Sequence, residues 1–271
     1  MSIKVHATAL GCYIQRADGV MEPISRRLHD ELKPKRKLTV MPANGTHQLV
    51  HLWQGRYGSL GHLYTPARRE TVKAWLPYVL DNGRFAEAIK GLPFDEDGFI
   101  AHVERYAFLA QRPDWIAVPD VPFFGMETLQ WWDAWEPKLR QYGIPLALVV
   151  QNGMEVDEVV GRLQPGDAIF VGGDLEWKWG TVGTWAQAWP RVHVGRVNQP
   201  SKLPYLLGLG VESCDGSGWF RGDSNQVAGL GAFLAEQSGH DPEIARHEAF
   251  TSRHCKSAHE QTVLHFEVEP K

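Results

Sequence analysis

Five stretches of this sequence run apolar and then stop on a residue suited to chemistry: WLPYVLD on Asp81, WIAVPD on Asp120, LALVVQ on Gln151, AIFVGG on Gly172 and Gly173, and VESCD on Asp215. Two carboxylates in one pocket equip a protein for displacement at an anomeric carbon. One attacks C1 of the sugar, and the other manages the proton of the leaving group. The other residues match the edges of a guanine-like ring. A carboxylate such as Asp120 suits its N–H and exocyclic amine, while its O6 acceptor suits the amide of Gln151 or backbone N–H groups at Gly172 and Gly173. Glycine there lets the backbone approach closely. A single Asp after a strand is more often a helix N-cap. The recurrence of such residues at successive strand ends is what argues for a site.

These residues meet only if the strands are parallel and their carboxyl ends share one rim, which is the layout of a TIM (β/α)8 barrel. At least six alternating units support that α/β reading, including METLQWWDAWEPKLRQYG as helix, IPLALVVQNG as strand, MEVDEVVGRL as helix and NQVAGLGAFLAEQ as the last strong helix. With 271 residues, 43% of them hydrophobic, the chain is sized for one such domain. A doubly wound open sheet also alternates strand and helix. No GxGxxG or GxxxxGK[ST] loop follows the first strand, however, which weighs against dehydrogenase and kinase readings. Residues 1–70 read as an irregular N-terminal part, with strands at KLTVMPANG and HQLVHLW and a loop at QGRYGSLGHLYTP. Residues 240–271 read as a histidine-rich C-terminal extension. Trp131, Trp132 and Trp135 share a helical face and read as packing.

The net charge of −4 argues against a generally basic, polyanion-coating surface. Local basic groups remain: the run Lys33 to Lys37 with Arg26 and Arg27 is either a phosphate-facing segment or a solvated loop, and Arg56, Arg68 and Arg69 are candidates for phosphate contact. No apolar run is long enough to cross a membrane, and the N-terminus does not read as a secretory signal. Cys12, Cys214 and Cys255 are odd in number and far apart, which points to a reducing cytoplasm. His254, Cys255, His259 and His265 have a spacing that would suit a metal, but in a polar tail they read as exposed side chains, so no metal is expected. Ser217 sits in GSG rather than GxSxG, which disfavours a serine hydrolase.

VLDNGRF (79–85), WIAVPDVP (115–122), LVVQNG (148–153), IFVGGD (169–174), HVGRVN (193–198) and VESCDGSGW (211–219) occur in an order that resembles the tRNA-guanine transglycosylase superfamily. The closest resemblance is to its DNA-acting branch, the 7-deazaguanine DNA transglycosylases of phages and bacteria, and it runs from about residue 78 to about residue 220. The resemblance implies that Asp215 is the nucleophile of a covalent glycosyl-enzyme intermediate and Asp81 the general acid and base. It makes Asp120 and Gln151 base-recognising residues, and the Gly172–Gly173 pair a backbone contact to the base. Phe85 is the first candidate to sandwich the ring, with core packing as its other reading. The implied partners are DNA, with tRNA as the alternative, and a 7-deazaguanine base such as preQ0, in a bacterial or phage-infected cytoplasm. No cofactor is implied, because one glycosidic bond is exchanged for another.

Two departures from the tRNA enzymes tilt the expectation toward DNA. Asp215 is followed by GSGW instead of a segment ending in P-T-R and a zinc site, and beyond it only Cys255 remains to supply a thiolate. Asn82 stands where those enzymes usually have serine. A base inside a duplex would have to be flipped out to reach such a site. A non-catalytic nucleic-acid-binding subunit and simple hydrolysis of the base remain as other readings.

Overall fold

The structure, a computed structural model, describes residues 4–8, 11–15, 21–24, 37–43, 47–69, 71–221 and 223–252. The chain divides into two compact units, Met1–Arg36 and Lys37–Lys271. In the first, β1 (Lys4–Thr8), β2 (Gly11–Gln15) and β3 (Met21–Ile24) form an antiparallel sheet in sequential order, with Lys4 opposite Gln15 and Cys12 opposite Ile24. Most of the basic run from Lys33, and the whole of the tail that carries His254, Cys255, His259 and His265, lie outside the described residues.

The second unit is an α/β structure whose eight parallel strands follow the chain around a nearly closed barrel. They are β4 (Thr39–Pro42), β5 (His62–Tyr64), β6 (Tyr78–Leu80), β7 (Ile116–Ala117), β8 (Leu146–Val150), β9 (Ala168–Val171), β10 (Val192–Val194) and β11 (Ser213–Gly216). The order runs β4-β11-β10-β9-β8-β7-β6-β5, and a parallel bridge from Val40 to Leu60 draws the two edges together. Between the strands lie α1 (Gln48–Tyr57), α2 (Arg84–Ile89), α3 (Glu96–Ala107), α4 (Gly125–Arg140), α5 (Val156–Val160), α6 (Leu175–Ala188) and α7 (Leu203–Leu209). α8 (Ser224–Gln237) and a helix over 242–252 follow. The acidic caps expected of such helices are present: Asp95 accepts from the N–H of Gly98, and Asp174 from that of Trp177.

Strand alternation sorts the core into two shells. On β8, Leu146, Leu148 and Val150 pack outward under the helices, while Ala147 and Val149 face the interior with Met41, Leu63, Val79, Trp115, Ala117, Ala168 and Phe170. Two large rings and three alanines share that interior, the mixture of sizes that fills a small barrel without voids. The same alternation on β10 and β11 sends Val192, Val194 and Cys214 into the outer shell. It leaves His193, Ser213 and Asp215 on the inner side, where polar groups are exceptional.

Within residues 37–69 the strand expected at KLTVMPANG is β4, and the rest, expected to be less regular, supplies a helix and a second barrel strand. HQLVHLW, expected as a strand, is helical: Leu49, Val50, Trp53 and Tyr57 fall on one buried face at helical spacing, and the His47 side chain caps the N–H of Leu49. GHLY, expected as loop, contains β5. Trp132 and Trp135 are buried in the helix–barrel layer, where Trp135 meets the edges of Phe94 and Phe99, as the packing reading anticipated.

Candidate active site

Asp81, Asn82, Phe85, Asp120, Phe123, Gln151, Gly172, Gly173, Arg196 and Asp215 line one cavity of about 490 Å³ at the carboxyl ends of the strands. Thus all the sequence-selected residues meet in a single pocket. Most are delivered by strands: Asp81 follows β6 directly, Asp120 comes three residues after β7, Gln151 follows β8, Gly172 and Gly173 follow β9, and Asp215 lies within β11, whereas Phe85 is in α2.

Asp120 is held by two side-chain amides, one at each oxygen. Its Oδ1 accepts from Asn82 Nδ2 at 2.8 Å, and its Oδ2 accepts from Gln151 Nε2 at 2.6 Å. Gln151 uses its other end as well, because Oε1 accepts from the N–H groups of Phe123 at 2.9 Å and Gly173 at 2.8 Å. The N–H of Gly172 is bonded to the carbonyl of Val150. Both glycine N–H groups and Oε1 of Gln151 are therefore bonded within the protein, and one hydrogen of Gln151 Nε2 braces Asp120. Gly172 is fixed by this brace, since a Cβ there would stand 2.8 Å from Gln151 Nε2 and 3.1 Å from the Val150 carbonyl oxygen. Asn82 is likewise a brace: besides Asp120 it holds the carbonyl of Val118, and its Oδ1 accepts from the N–H of Arg84. That gives the Asn82 departure a structural reason.

Burial pushes the Asp120 carboxyl up to about 6, against the pull of the Asn82 and Gln151 donors. Asp81 is pushed further, to about 7, by burial first and then by the negative charges of Asp215 and Asp120. A carboxyl poised there exchanges protons readily near neutral pH. Asp215 accepts at a single oxygen: Oδ1 takes His193 Nε2 at 3.1 Å and the backbone N–H of Arg196 at 3.1 Å. Its Oδ2 has no hydrogen-bond partner among the described residues.

Phe85 is 37% exposed and stands at the pocket mouth, so the core-packing reading of this ring does not hold. Its edge meets Phe123 with centroids 6.1 Å apart. The guanidinium of Arg196 lies over it at 4.0 Å from the centroid and donates to the Gly173 carbonyl. Arg196 and Phe123 both hold positive φ angles, 59° and 74°, a strained backbone for residues with side chains that marks both as built for position. Behind Arg196, the buried Lys178 donates to the Gly195 carbonyl at 2.6 Å; burial and the charge of Arg196 push it down to about 8, opposed by Asp215.

Sequence reading passed over Arg196, His193, Lys178 and Phe123. Arg196 and His193 both lie within HVGRVN, and the strand-end rule that selected Gln151 would have selected Arg196 had it tolerated a residue two positions past the strand. Of the proposed phosphate-contacting arginines, Arg56 is tied to Glu248, whereas Arg68 and Arg69 are exposed on the loop that leaves the carboxyl end of β5. Among the described residues no group of three or more His, Cys, Asp or Glu side chains could hold a metal ion, and no helix is long and apolar enough to cross a membrane. No protein-family model matches the chain, and no curated protein matches it in sequence.

Proposed function

We propose that this protein is a base-exchange transglycosylase built on a TIM (β/α)8 barrel, replacing guanine in DNA with a 7-deazaguanine such as preQ0. The observation that carries the reading is the convergence of Asp81, poised near 7, and Asp215 in a pocket that also presents the braced carboxylate Asp120. One carboxylate matched to proton transfer and another open for attack are what a double displacement at C1′ requires.

In the first half-reaction Asp215 attacks C1′, the C1′–N9 bond breaks, and its electron pair leaves with guanine, which takes the proton of Asp81. In the second, the Asp81 carboxylate removes the N9 proton of the incoming base. N9 then forms the new bond to C1′, and the electron pair of the C1′–O bond returns to Asp215. Two inversions give net retention. Asp120 faces the N1–H and 2-amino donors of either base with the lone pairs that Asn82 and Gln151 leave open. Since Oε1 of Gln151 and the N–H groups of Gly172 and Gly173 are internally bonded, the donors for O6 are the second Nε2 hydrogen of Gln151 and the guanidinium of Arg196. A fixed guanidinium beside the base favours a neutral acceptor such as a nitrile at C7 over an ammonium. Phe85 supplies the stacking face, and Arg68 and Arg69 supply charge for the phosphates. The GSGW segment directly after Asp215, in place of the segment ending in P-T-R of the tRNA enzymes, favours DNA over tRNA.

The test is incubation of the purified protein with guanine-containing DNA or tRNA, with and without the 7-cyano base, followed by nucleoside mass spectrometry. The deazaguanine nucleoside should appear in DNA and be absent with Asp215→Ala. Incorporation into tRNA alone would move the substrate to RNA. An abasic site without insertion would make the reaction hydrolysis, and no change in either nucleic acid would leave a binding role.

A further inference from the structure

The barrel interior carries two polar side chains, His193 and Ser213, that the proposed reaction does not use. His193 on β10 and Ser213 on β11 are paired in parallel register, and Asp215 lies two residues further along the same inward face of β11. The imidazole bridges them: Nδ1 is 2.8 Å from Ser213 Oγ and Nε2 is 3.1 Å from Asp215 Oδ1. At 0% exposure, His193 lies beneath the pocket and does not line it. Its ring is boxed edge-on by Trp115 at 5.0 Å and Phe170 at 4.6 Å between centroids, which leaves it little rotation. Since a carboxylate oxygen only accepts, Nε2 carries the hydrogen toward Asp215; in the neutral ring Nδ1 then accepts from the Ser213 hydroxyl.

Resting on the transglycosylase reading, we infer that His193 is a positioning residue that, with the backbone N–H of Arg196, locks Oδ1 of Asp215 so that Oδ2 is the oxygen that attacks C1′. The two donors converge on one oxygen from opposite sources, an inward side chain of β10 and the strained backbone just beyond it. A carboxylate anchored at one oxygen loses rotation about its Cβ–Cγ bond and holds the other at a fixed point in the pocket. Attack at C1′ depends on that point to within a fraction of an ångström. The Ser213 hydroxyl sets the ring's tautomer and completes the anchor, as second partners of histidines do elsewhere. In the step itself, the Oδ2–C1′ bond forms as C1′–N9 breaks, while the Oδ1 hydrogen bonds persist and no proton leaves His193.

The experiment compares wild type with His193→Phe, His193→Gln and Ser213→Ala. It uses single-turnover formation of the covalent protein–DNA adduct, steady-state KM for DNA, and a crystal structure of each variant. His193→Phe keeps a ring for the Trp115–Phe170 box but has no donor; adduct formation should fall about 100-fold with KM for DNA unchanged. His193→Gln places an amide N–H about where Nε2 stood and should recover at least tenfold of that loss. Ser213→Ala, the mildest change, should slow the adduct by about threefold to tenfold and keeps the inference testable should the Phe variant fail to fold. In the crystal structures, the Asp215 carboxylate should be rotated in the Phe variant and in place in the Gln variant. An unmoved carboxylate, or adduct formation within twofold of wild type in a folded His193→Phe protein, would overturn the inference. If wild type forms no adduct and exchanges no base while the carboxylate still rotates in His193→Phe, the functional reading fails and the positioning role stands.

Discussion

The two ends of the barrel use the same residue types in opposite ways. At the amino ends of the strands, Asp167 is 1% exposed and fully matched: its oxygens take both terminal nitrogens of Arg140 at 2.7 and 2.6 Å and the N–H groups of Leu146 and Gln164 at 2.9 and 2.8 Å. Nearby, Arg191 grips both oxygens of Glu212. At the carboxyl ends, Asp81, Asp120 and Asp215 share a pocket, and among the described residues no lysine or arginine side chain pairs with any of them. Arg196 is close by, yet it rests on a phenyl ring and a carbonyl. A buried acid matched to an arginine fixes geometry. Left unmatched beside other acids, it keeps its proton affinity and its lone pairs for something that enters the pocket.

This contrast breaks most readily at its extremes. On the proposed reaction, Asp215→Asn removes the nucleophile and should lower base exchange by about 10⁴-fold or more, while leaving the melting temperature close to wild type. Asp167→Ala should do the reverse. Leaving two buried backbone N–H groups unpaired and Arg140 with Glu136 alone should lower unfolding free energy by about 2–4 kcal/mol in urea titrations, with the rim pocket of whatever fraction remains folded unaffected. Equal destabilisation by both substitutions would erase the distinction between floor and rim.

Much of the rim was legible because a barrel strand announces its end: an apolar run is followed by the first residue that has no place in the core. Asp81, Gln151, Gly172, Gly173 and Asp215 obey that rule, and they meet in one pocket. His193 did not declare itself because it lies inside a strand, where a lone histidine reads as a core residue, and its meaning depends on a neighbour that is 22 residues distant in sequence. Arg196 hid in a turn with positive φ, a conformation that residue type does not announce for arginine. The floor was illegible for a different reason. The Arg140–Asp167 pair joins the end of α4 to the start of β9, and charges at element ends read as ordinary solvated groups until the fold brings them together. The same locality explains α1, whose short apolar run read as a strand while its buried face, Leu49, Val50, Trp53 and Tyr57, required a helix.

Asp81→Asn sharpens the contrast through pH. The carboxyl has an ordinary value of 3.8 in the unfolded chain and stands at about 7 in the folded one, because burial and the charges of Asp215 and Asp120 oppose its ionisation. The folded state therefore binds the proton more tightly. The stability contributed by this group is fully present below about pH 3.8 and is lost as pH rises through 7. Asparagine cannot ionise, so the variant should match wild type near pH 4 and exceed it by on the order of 2 kcal/mol at pH 8, while exchanging bases about 10²–10⁴-fold more slowly. Thermal melts at the two pH values read the first effect. A variant less stable than wild type at pH 8 would place Asp81 among the structural acids of the floor.

The smallest effect concerns the two settings of arginine. Arg140 and Arg191 are held by carboxylates, whereas Arg196 is held by the face of Phe85 and by the Gly173 carbonyl. Phe85→Leu keeps an apolar side chain at the mouth but removes the cation–π contact and the flat stacking surface. Each is worth about 1 kcal/mol at a partly exposed site, so KM for the incoming base should rise about fivefold to tenfold with kcat nearly unchanged. The unfolding free energy should move by less than about 0.5 kcal/mol, because an exposed ring contributes little to the core. An unchanged KM would mean that the base does not stack on Phe85, and that Arg196 is oriented by the Gly173 carbonyl and its own strained backbone alone.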